Sequence, residues 1–179
     1  MPVADQGAAL SQNRYQWVPR VLCFVTSGPE VLLLRGAPTK RLWAGKYNGL
    51  GGHVERGESV HAAALREIRE EAGQEVSGLR LRGVITVDAG STAGIGLFVF
   101  TAEAQGRAVT ASAEGTLHWV RPEQWPELDM VEDLPTLLPY VLARPPEAPC
   151  FGARYYYSAD QKLVIEFFED QDWPAAGGA

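Results

Sequence analysis

The chain has 179 residues, with 16 Lys and Arg against 22 Asp and Glu, for a formal net charge of −6. Apolar residues make up 46% and charged residues 21%, the composition of one folded domain of roughly 100–200 residues with its own core. The acid excess disfavours non-specific binding to a nucleic acid polymer, and runs such as Val21–Val25 and Leu97–Phe100 fall far short of the ~20 residues that span a bilayer.

No apolar run follows Met1, so no signal peptide is expected. Residues 1–14 read as a loose arm and 171–179 as a loose tail, with a single domain over 15–170 between them. Val18–Thr26 and Val31–Arg35 are rich in β-branched and aliphatic residues. The turn Ser27-Gly28-Pro29-Glu30 joins them as a hairpin. Gly36–Gly49 is a basic, glycine-containing loop, and Gly51–Glu55 a short extended piece. Ser59–Ala72 reads as a helix, with Ser59 as N-cap and Gly73 placed to end it. Leu81–Asp88 and Ile95–Glu103 are strands around the loop Ala89–Gly94. Thr116–Arg121 is a further strand, Pro122–Trp125 a turn or short helix, and Leu134–Ala143 a second helix. Ala153–Ser158 and Lys162–Phe168 form a late hairpin. This order predicts an α/β or α+β domain with a mixed sheet. Cys23 and Cys150 form neither a metal pattern nor a disulfide framework, which points to a reducing, cytoplasmic compartment.

The chemistry is concentrated in residues 52–73. On a helical wheel, Ala64, Leu65, Ile68 and Ala72 share one face, and Glu71, Glu67 and Glu70 run beside it. Like charges at i, i+3 and i, i+4 cost a helix some tenths of a kcal/mol each. Arg66 can offset part of this by reaching Glu70, while Glu67 and Glu71 point elsewhere. A hard divalent cation would remove the conflict, because carboxylate oxygens are its preferred ligands. Taken alone, the three glutamates read as a solvated acidic face. The glycines Gly51-Gly52, which let backbone approach a ligand closely, and Glu58 ahead of the helix favour a site.

The spacing of Gly52, Glu58, Arg66, Glu67, Ile68, Glu70, Glu71 and Gly73 resembles that of the Nudix hydrolases. Gln74 stands where that pattern closes on an apolar residue, and Val76 is free to pack there instead. The resemblance implies an α/β/α sandwich with a mixed central sheet and the motif as a loop–helix–loop. It implies hydrolysis of a nucleoside diphosphate linked to another group, using Mg²⁺, with Mn²⁺ as a substitute. Carried over by position, Glu67, Glu70, Glu71 and the Gly51 carbonyl are the metal ligands. Glu70 or Glu71 is the general base, with Glu114 as a second candidate. Arg66 and Glu58 orient the carboxylates.

Asn48-Gly-Leu-Gly-Gly-His-Val-Glu55 is similar to the site entrance of the MutT-like enzymes that clear oxidised purine nucleoside triphosphates. This implies a base contact from Asn48 and another from Asp133. The stacking Trp such enzymes carry near Met130 and Val131 is absent. Tyr47 and Lys46 complete the substrate-binding candidates. Trp43 and Tyr47 are half-buried packing residues or line the cleft; Lys40, Arg41 and Lys46 are solvated or meet phosphates. The positions that mark ADP-ribose and diadenosine polyphosphate hydrolases hold Ala89 and Gly90. The expected activity is therefore release of pyrophosphate from a nucleoside triphosphate, extending to 8-oxo-dGTP-like nucleotides. The alternatives are another nucleoside diphosphate derivative (a nucleotide sugar, ADP-ribose or a dinucleoside polyphosphate) and a non-catalytic nucleotide sensor.

Overall fold

The computed structural model describes residues 15–90, 93–110 and 112–168; the expected arm 1–14 and tail 171–179 lie outside them. Val21 to Val25 and Val31 to Leu34 are buried without interruption, which requires cover on both faces of the sheet. Successive side chains alternate between those faces. Leu22, Phe24, Val31 and Leu33 enter one core with Leu134, Leu137, Leu138 and Val141. Val21, Cys23, Val25, Leu32 and Leu34 enter a second core with Ala63, Ala64, Ile68 and Ala72. Each core is closed by one helix, α2 (Leu134–Ala143) and α1 (Val60–Ala72) respectively. The result is the expected α/β/α layering.

Among the described residues the sheet has eight strands. They are β1 (Gln16–Ser27), β2 (Glu30–Gly36), β3 (Tyr47–Asn48), β4 (Val76–Val87), β5 (Ala93–Ala104), β6 (Gly115–Val120), β7 (Phe151–Tyr157) and β8 (Leu163–Phe168). The order is β3-β2-β1-β5-β4-β7-β8, with β6 also on β2. β6 pairs one edge of β2 from Val31 to Gly36. β1 and β3 share the opposite edge, β1 at Glu30 to Leu32 and β3 at Leu34 and Arg35. The hairpins β1–β2, β4–β5 and β7–β8 are antiparallel, whereas β1–β5 and β4–β7 are parallel. The sheet is thus mixed.

The expected helix and its caps are present. Ser59 takes an extended conformation and its hydroxyl accepts from Ala62 N–H. Gly73 turns left-handed at φ 63°, and its N–H bonds Arg69 C=O. Gln74 is buried and donates to the Ala108 carbonyl, while Val76 packs against the α1 core. The second helix spans Leu134–Ala143 as expected, and Pro122–Glu127 is a 3₁₀ helix.

Two expectations change, at β3 and at β4. The loop Gly36–Gly49 contains β3, held by Leu34 and Arg35 on β2 rather than by its own composition. The short piece Gly51–Glu55, expected to be extended, follows it and is bridged to Arg20 of β1 through His53. Val21 N–H donates to Gly52 C=O, and Cys23 N–H to Leu50 C=O. β4 begins five residues before the expected Leu81, because register shifts beside Ser77 and Leu81 hide its two-residue period. Among the described residues no helix is long and apolar enough to cross a membrane.

The Ser59 cap anchors the helix that carries the carboxylates. Ser59→Ala is expected to cost about 1 kcal/mol of unfolding free energy, read as a lowered midpoint in urea denaturation with an unchanged slope.

Candidate functional site

α1 lies with its C-terminal half against the segment that leaves β3. This packing decides the fate of the three glutamates. Glu71 is buried, at 6% exposure, among the residues closed over by the second core. Its Oε2 accepts from Gly51 N–H at 2.8 Å. Gly51 has φ 146°, and a side chain there would strike the Val21 carbonyl, so the close approach needs glycine. A side chain at Gly52 would likewise overlap the Glu67 carboxylate. Burial pushes the Glu71 carboxyl up to about 7; the Gly51 hydrogen bond opposes this and the neighbouring Glu67 charge adds to it.

Arg66 organises the rest. Its guanidinium meets Glu58 at 2.8 and 3.2 Å, Glu67 at 2.9 Å, Glu70 at 3.0 Å and the His53 carbonyl at 2.9 Å. It therefore reaches Glu67 as well as Glu70, a correction to the wheel, which ignores the length of the arginine stem. Glu58 also accepts from Glu55 N–H at 2.7 Å, and its bonds to Arg66 hold its carboxyl below the usual carboxylate range.

Glu67, Glu70 and Glu71 line a cleft of about 760 Å³ with Gly51, Gly52, Lys40, Arg41 and Glu114. Lys40 Nζ meets Glu114 Oε2 at 2.6 Å. Glu67, Glu70, Glu71 and Glu114, far apart in sequence in the last case, thus face one space. Among the described residues no three acidic, His or Cys side chains already converge as a metal shell, since Arg66 and Gly51 N–H occupy the oxygens. The donor chemistry nonetheless fits a hard divalent cation. Its glutamates offer oxygen ligands, one of them a buried acid that makes no ion pair among the described residues.

A second, more apolar cleft of about 210 Å³ adjoins the first. Asn48 and Asp133 both line it, as the sequence suggested, with Val87, Leu97, Glu132, Tyr155 and Leu163. Burial raises the Asp133 carboxyl above its ordinary range, and the Tyr155 hydroxyl is buried without a partner. Asn48 Oδ1 accepts from Gly49 N–H at 2.8 Å. Arg20, Trp43, Gly51 and Gly52 border both clefts.

Lys46 and Tyr47 stand apart from both. Lys46 Nζ is paired with Asp129 at 2.6 Å, and the Tyr47 ring packs edge-on against His118 at 5.5 Å. The β3 pairing turns them towards the Asp129–Met130 segment, where Tyr47 N–H bonds Asp129 C=O. Sequence reasoning did not single out Arg20, Leu97, Tyr155, Tyr157 or Leu163. They come from strands whose neighbours are remote in the chain, and nothing in their local pattern sets them apart from core or surface residues.

A helix-covered mixed sheet thus carries a glycine-backed carboxylate cluster beside an apolar cleft. The chain belongs to the Nudix hydrolase family: the NUDIX domain model matches residues 16–141. It is 32% identical over 117 residues to the oxidized purine nucleoside triphosphate hydrolase of Mus musculus, covering 65% of this chain and 74% of that protein. It is 46% identical over 65 residues to the NAD-capped RNA hydrolase NudC of Pseudomonas aeruginosa, covering 36% of this chain. The match spans only 22% of the length of that relative. In structure it resembles a mutator MutT protein from Bacillus halodurans, with a TM-score of 0.65, 24% identity, and cover of 87% of this chain and 99% of that one. The NUDIX domain of Shewanella oneidensis NrtR, solved with ADP-ribose, aligns at TM-score 0.61 and 14% identity, over 77% and 95%. Nudix hydrolases as a family use divalent metal ions.

Burial of Glu71 has a measurable consequence for stability. Its carboxyl titrates near 7 in the folded chain and near 4.3 when unfolded. The folded state therefore binds more protons between those values, and its stability falls as pH rises through them. Below about pH 4 this cost is absent; above about pH 7 it is complete, at roughly 3 kcal/mol or less. In chelator, Glu71→Gln is expected to melt above the parent protein at pH 8 and together with it near pH 4. Added Mg²⁺ is expected to raise the melting temperature of the parent protein alone. Thermal denaturation at the two pH values, with and without Mg²⁺, checks both points.

Proposed function

We propose that this chain cleaves a purine nucleoside triphosphate to the monophosphate and pyrophosphate, with Mg²⁺ as its metal and Mn²⁺ as a substitute. Oxidised purine nucleoside triphosphates, 8-oxo-dGTP among them, fall within the proposed substrate class. The observation that carries this reading is the direct junction of the two clefts. An apolar cleft lined by Asn48 and Asp133 opens into an acidic one lined by Glu67, Glu70, Glu71 and Glu114. A base in the first places its phosphates in the second. The resemblance along 117 residues to the mouse oxidized purine nucleoside triphosphate hydrolase supports the same substrate class. Two free cysteines, Cys23 and Cys150, accord with action in the cytoplasm, where nucleotide pools are held.

Glu67 and Glu71, with the Gly51 carbonyl and Glu70, would hold the metal. When bound, the ion screens phosphate charge and activates water for attack at phosphorus. Arg66 keeps Glu67 and Glu70 extended towards the cleft and lowers the repulsion among them. Lys40, Arg41 and Arg20 face the phosphates from the other side. The proton of the attacking water passes to a carboxylate, for which Glu70, Glu71 and Glu114 are the candidates.

A second reading has its own support. The 46% identity to a NAD-capped RNA hydrolase spans 65 residues, and a dinucleotide pyrophosphate would be cut by the same groups. A panel of (d)NTPs, 8-oxo-dGTP, NAD and ADP-ribose with Mg²⁺ or Mn²⁺ separates the two readings. Pyrophosphate plus monophosphate from the triphosphates is the expected result. Turnover of NAD or ADP-ribose alone would refute the triphosphate assignment, and bound nucleotide without turnover would favour a sensing domain. In the same assay Glu71→Gln is expected to lose most Mg²⁺-dependent turnover, about a hundred-fold or more.

The general base is separated by pH profiles of Glu70→Gln and Glu114→Gln. The variant that removes the base loses kcat with little change in KM and loses the acidic limb of its profile. A variant of a carboxylate outside the proton transfer keeps that limb.

A further inference from the structure

Trp43 is the aromatic side chain that borders both the apolar and the acidic cleft. Its backbone has φ 58°, a left-handed conformation that a bulky residue adopts only at a cost. The loop around it is tied at its neck and through the Lys40–Glu114 ion pair. Gly36 N–H bonds Lys46 C=O at 3.0 Å, Gly45 N–H bonds Gly36 C=O at 2.9 Å, and Lys46 N–H bonds Trp43 C=O at 3.1 Å. Arg35 Nε adds a bond to Gly45 C=O at 3.1 Å. A side chain at Gly36 would come within 2.7 Å of the Trp43 carbonyl, so the two backbones are pressed together. The Trp43 residue nevertheless stays 47% exposed. Strain is thus spent on holding a large apolar ring at the cleft junction, not on burying it in the core. Strain that packing does not explain is a mark of a functional position.

The other aromatics of the apolar cleft are placed differently. Tyr155 is buried within the core. Tyr157 is exposed, but its hydroxyl is bonded to Glu132 at 2.9 Å, and it does not border the acidic cleft. Positions 130 and 131, beside Asp133, are Met and Val. A planar base whose phosphates reach the carboxylates must pass the junction where Trp43 stands.

We propose that Trp43 is the stacking platform for the nucleobase, presented by the strained loop 36–46 at the join of the two clefts. This rests on the nucleotide reading of the site but not on which anhydride is cut. Stacking on a π-face tolerates every base, so the ring contributes affinity for purines and pyrimidines alike, while Asn48 and Asp133 at the cleft wall discriminate between them.

The test is calorimetric binding of GMP, AMP, CMP and UMP, with ribose 5-phosphate as the base-free control. Neither metal nor hydrolysis enters the measurement. The variants are Trp43→Gly, Trp43→Leu and Trp43→Phe. Glycine adopts the left-handed conformation without penalty, so Trp43→Gly is expected to melt at or above the parent temperature while binding the nucleotides about ten-fold or more weakly. Trp43→Leu is expected to lose a similar factor, and Trp43→Phe to recover most of it. Ribose 5-phosphate binding is expected to be equal in all four proteins. Nucleotide affinities unchanged in Trp43→Gly and Trp43→Leu would overturn the proposal. So would a parent protein that binds the nucleotides no better than ribose 5-phosphate, or a Trp43→Gly variant whose affinity loss follows a fall in melting temperature and is not repaired by Trp43→Phe. A protein that shows Trp43-dependent base binding yet releases no pyrophosphate from triphosphates would refute the triphosphate reading and leave this proposal standing.

Discussion

The carboxylate of Glu71 is buried where α1 meets the backbone that leaves β3, and one hydrogen bond from Gly51 N–H holds it there. A buried acid without a cationic partner of its own is costly, and the local structure is arranged around that cost. Gly51 takes a conformation that only glycine adopts readily, and Gly52 leaves room for the Glu67 carboxylate. The helix is fixed at both ends, by Ser59 and by left-handed Gly73. A divalent cation at this point would supply the missing positive charge, and under the proposed metal role this one side chain couples stability to turnover.

Arg66 is the counterweight. Without it Glu58, Glu67 and Glu70 would repel one another across a few ångströms. With it they form a fan around a single guanidinium, closed on its far side by the His53 carbonyl. The planar fork suits this role because it presents several donors at fixed angles. The cluster is thereby preorganised at the mouth of the cleft. Cations from the loop 36–46 and from β1, namely Lys40, Arg41 and Arg20, line the same cleft. The net charge of −6 does not describe this local field, in which acids collect on the helix and bases on the facing loop.

Much of the site was legible along the chain, because its reactive part is a local device. Glu58 directly precedes the N-cap; Arg66, Glu67, Glu70 and Glu71 lie on the 13-residue helix α1, and their spacing is set by the helical period. Ser59 and Gly73 were legible for the same reason, since a cap acts within a turn of its helix end. The wheel placed Glu71 beside the apolar face but did not show that it would be buried. Burial depends on the strand that lies across the helix, and no period within α1 carries that information. Lys46 and Tyr47 were drawn away from the expected cleft by pairing partners, Asp129 and His118, that stand more than seventy residues on.

By itself the sequence determined the element types, the helix ends, the carboxylate stripe and the membership of the Nudix hydrolases, because each is written in spacings of a few residues. Tertiary structure alone decided the sheet order. The parallel pairings of β1 with β5 and of β4 with β7 close long loops and leave no local signature. Those two pairings bring Leu97, Tyr155 and Leu163 to the wall beside Asn48, and so create the apolar cleft. Trp43, half exposed, borders that cleft where it meets the acidic one. The chemistry of this protein is local and readable; the shape that selects its ligand is non-local, assembled by strands that meet only when the sheet is complete.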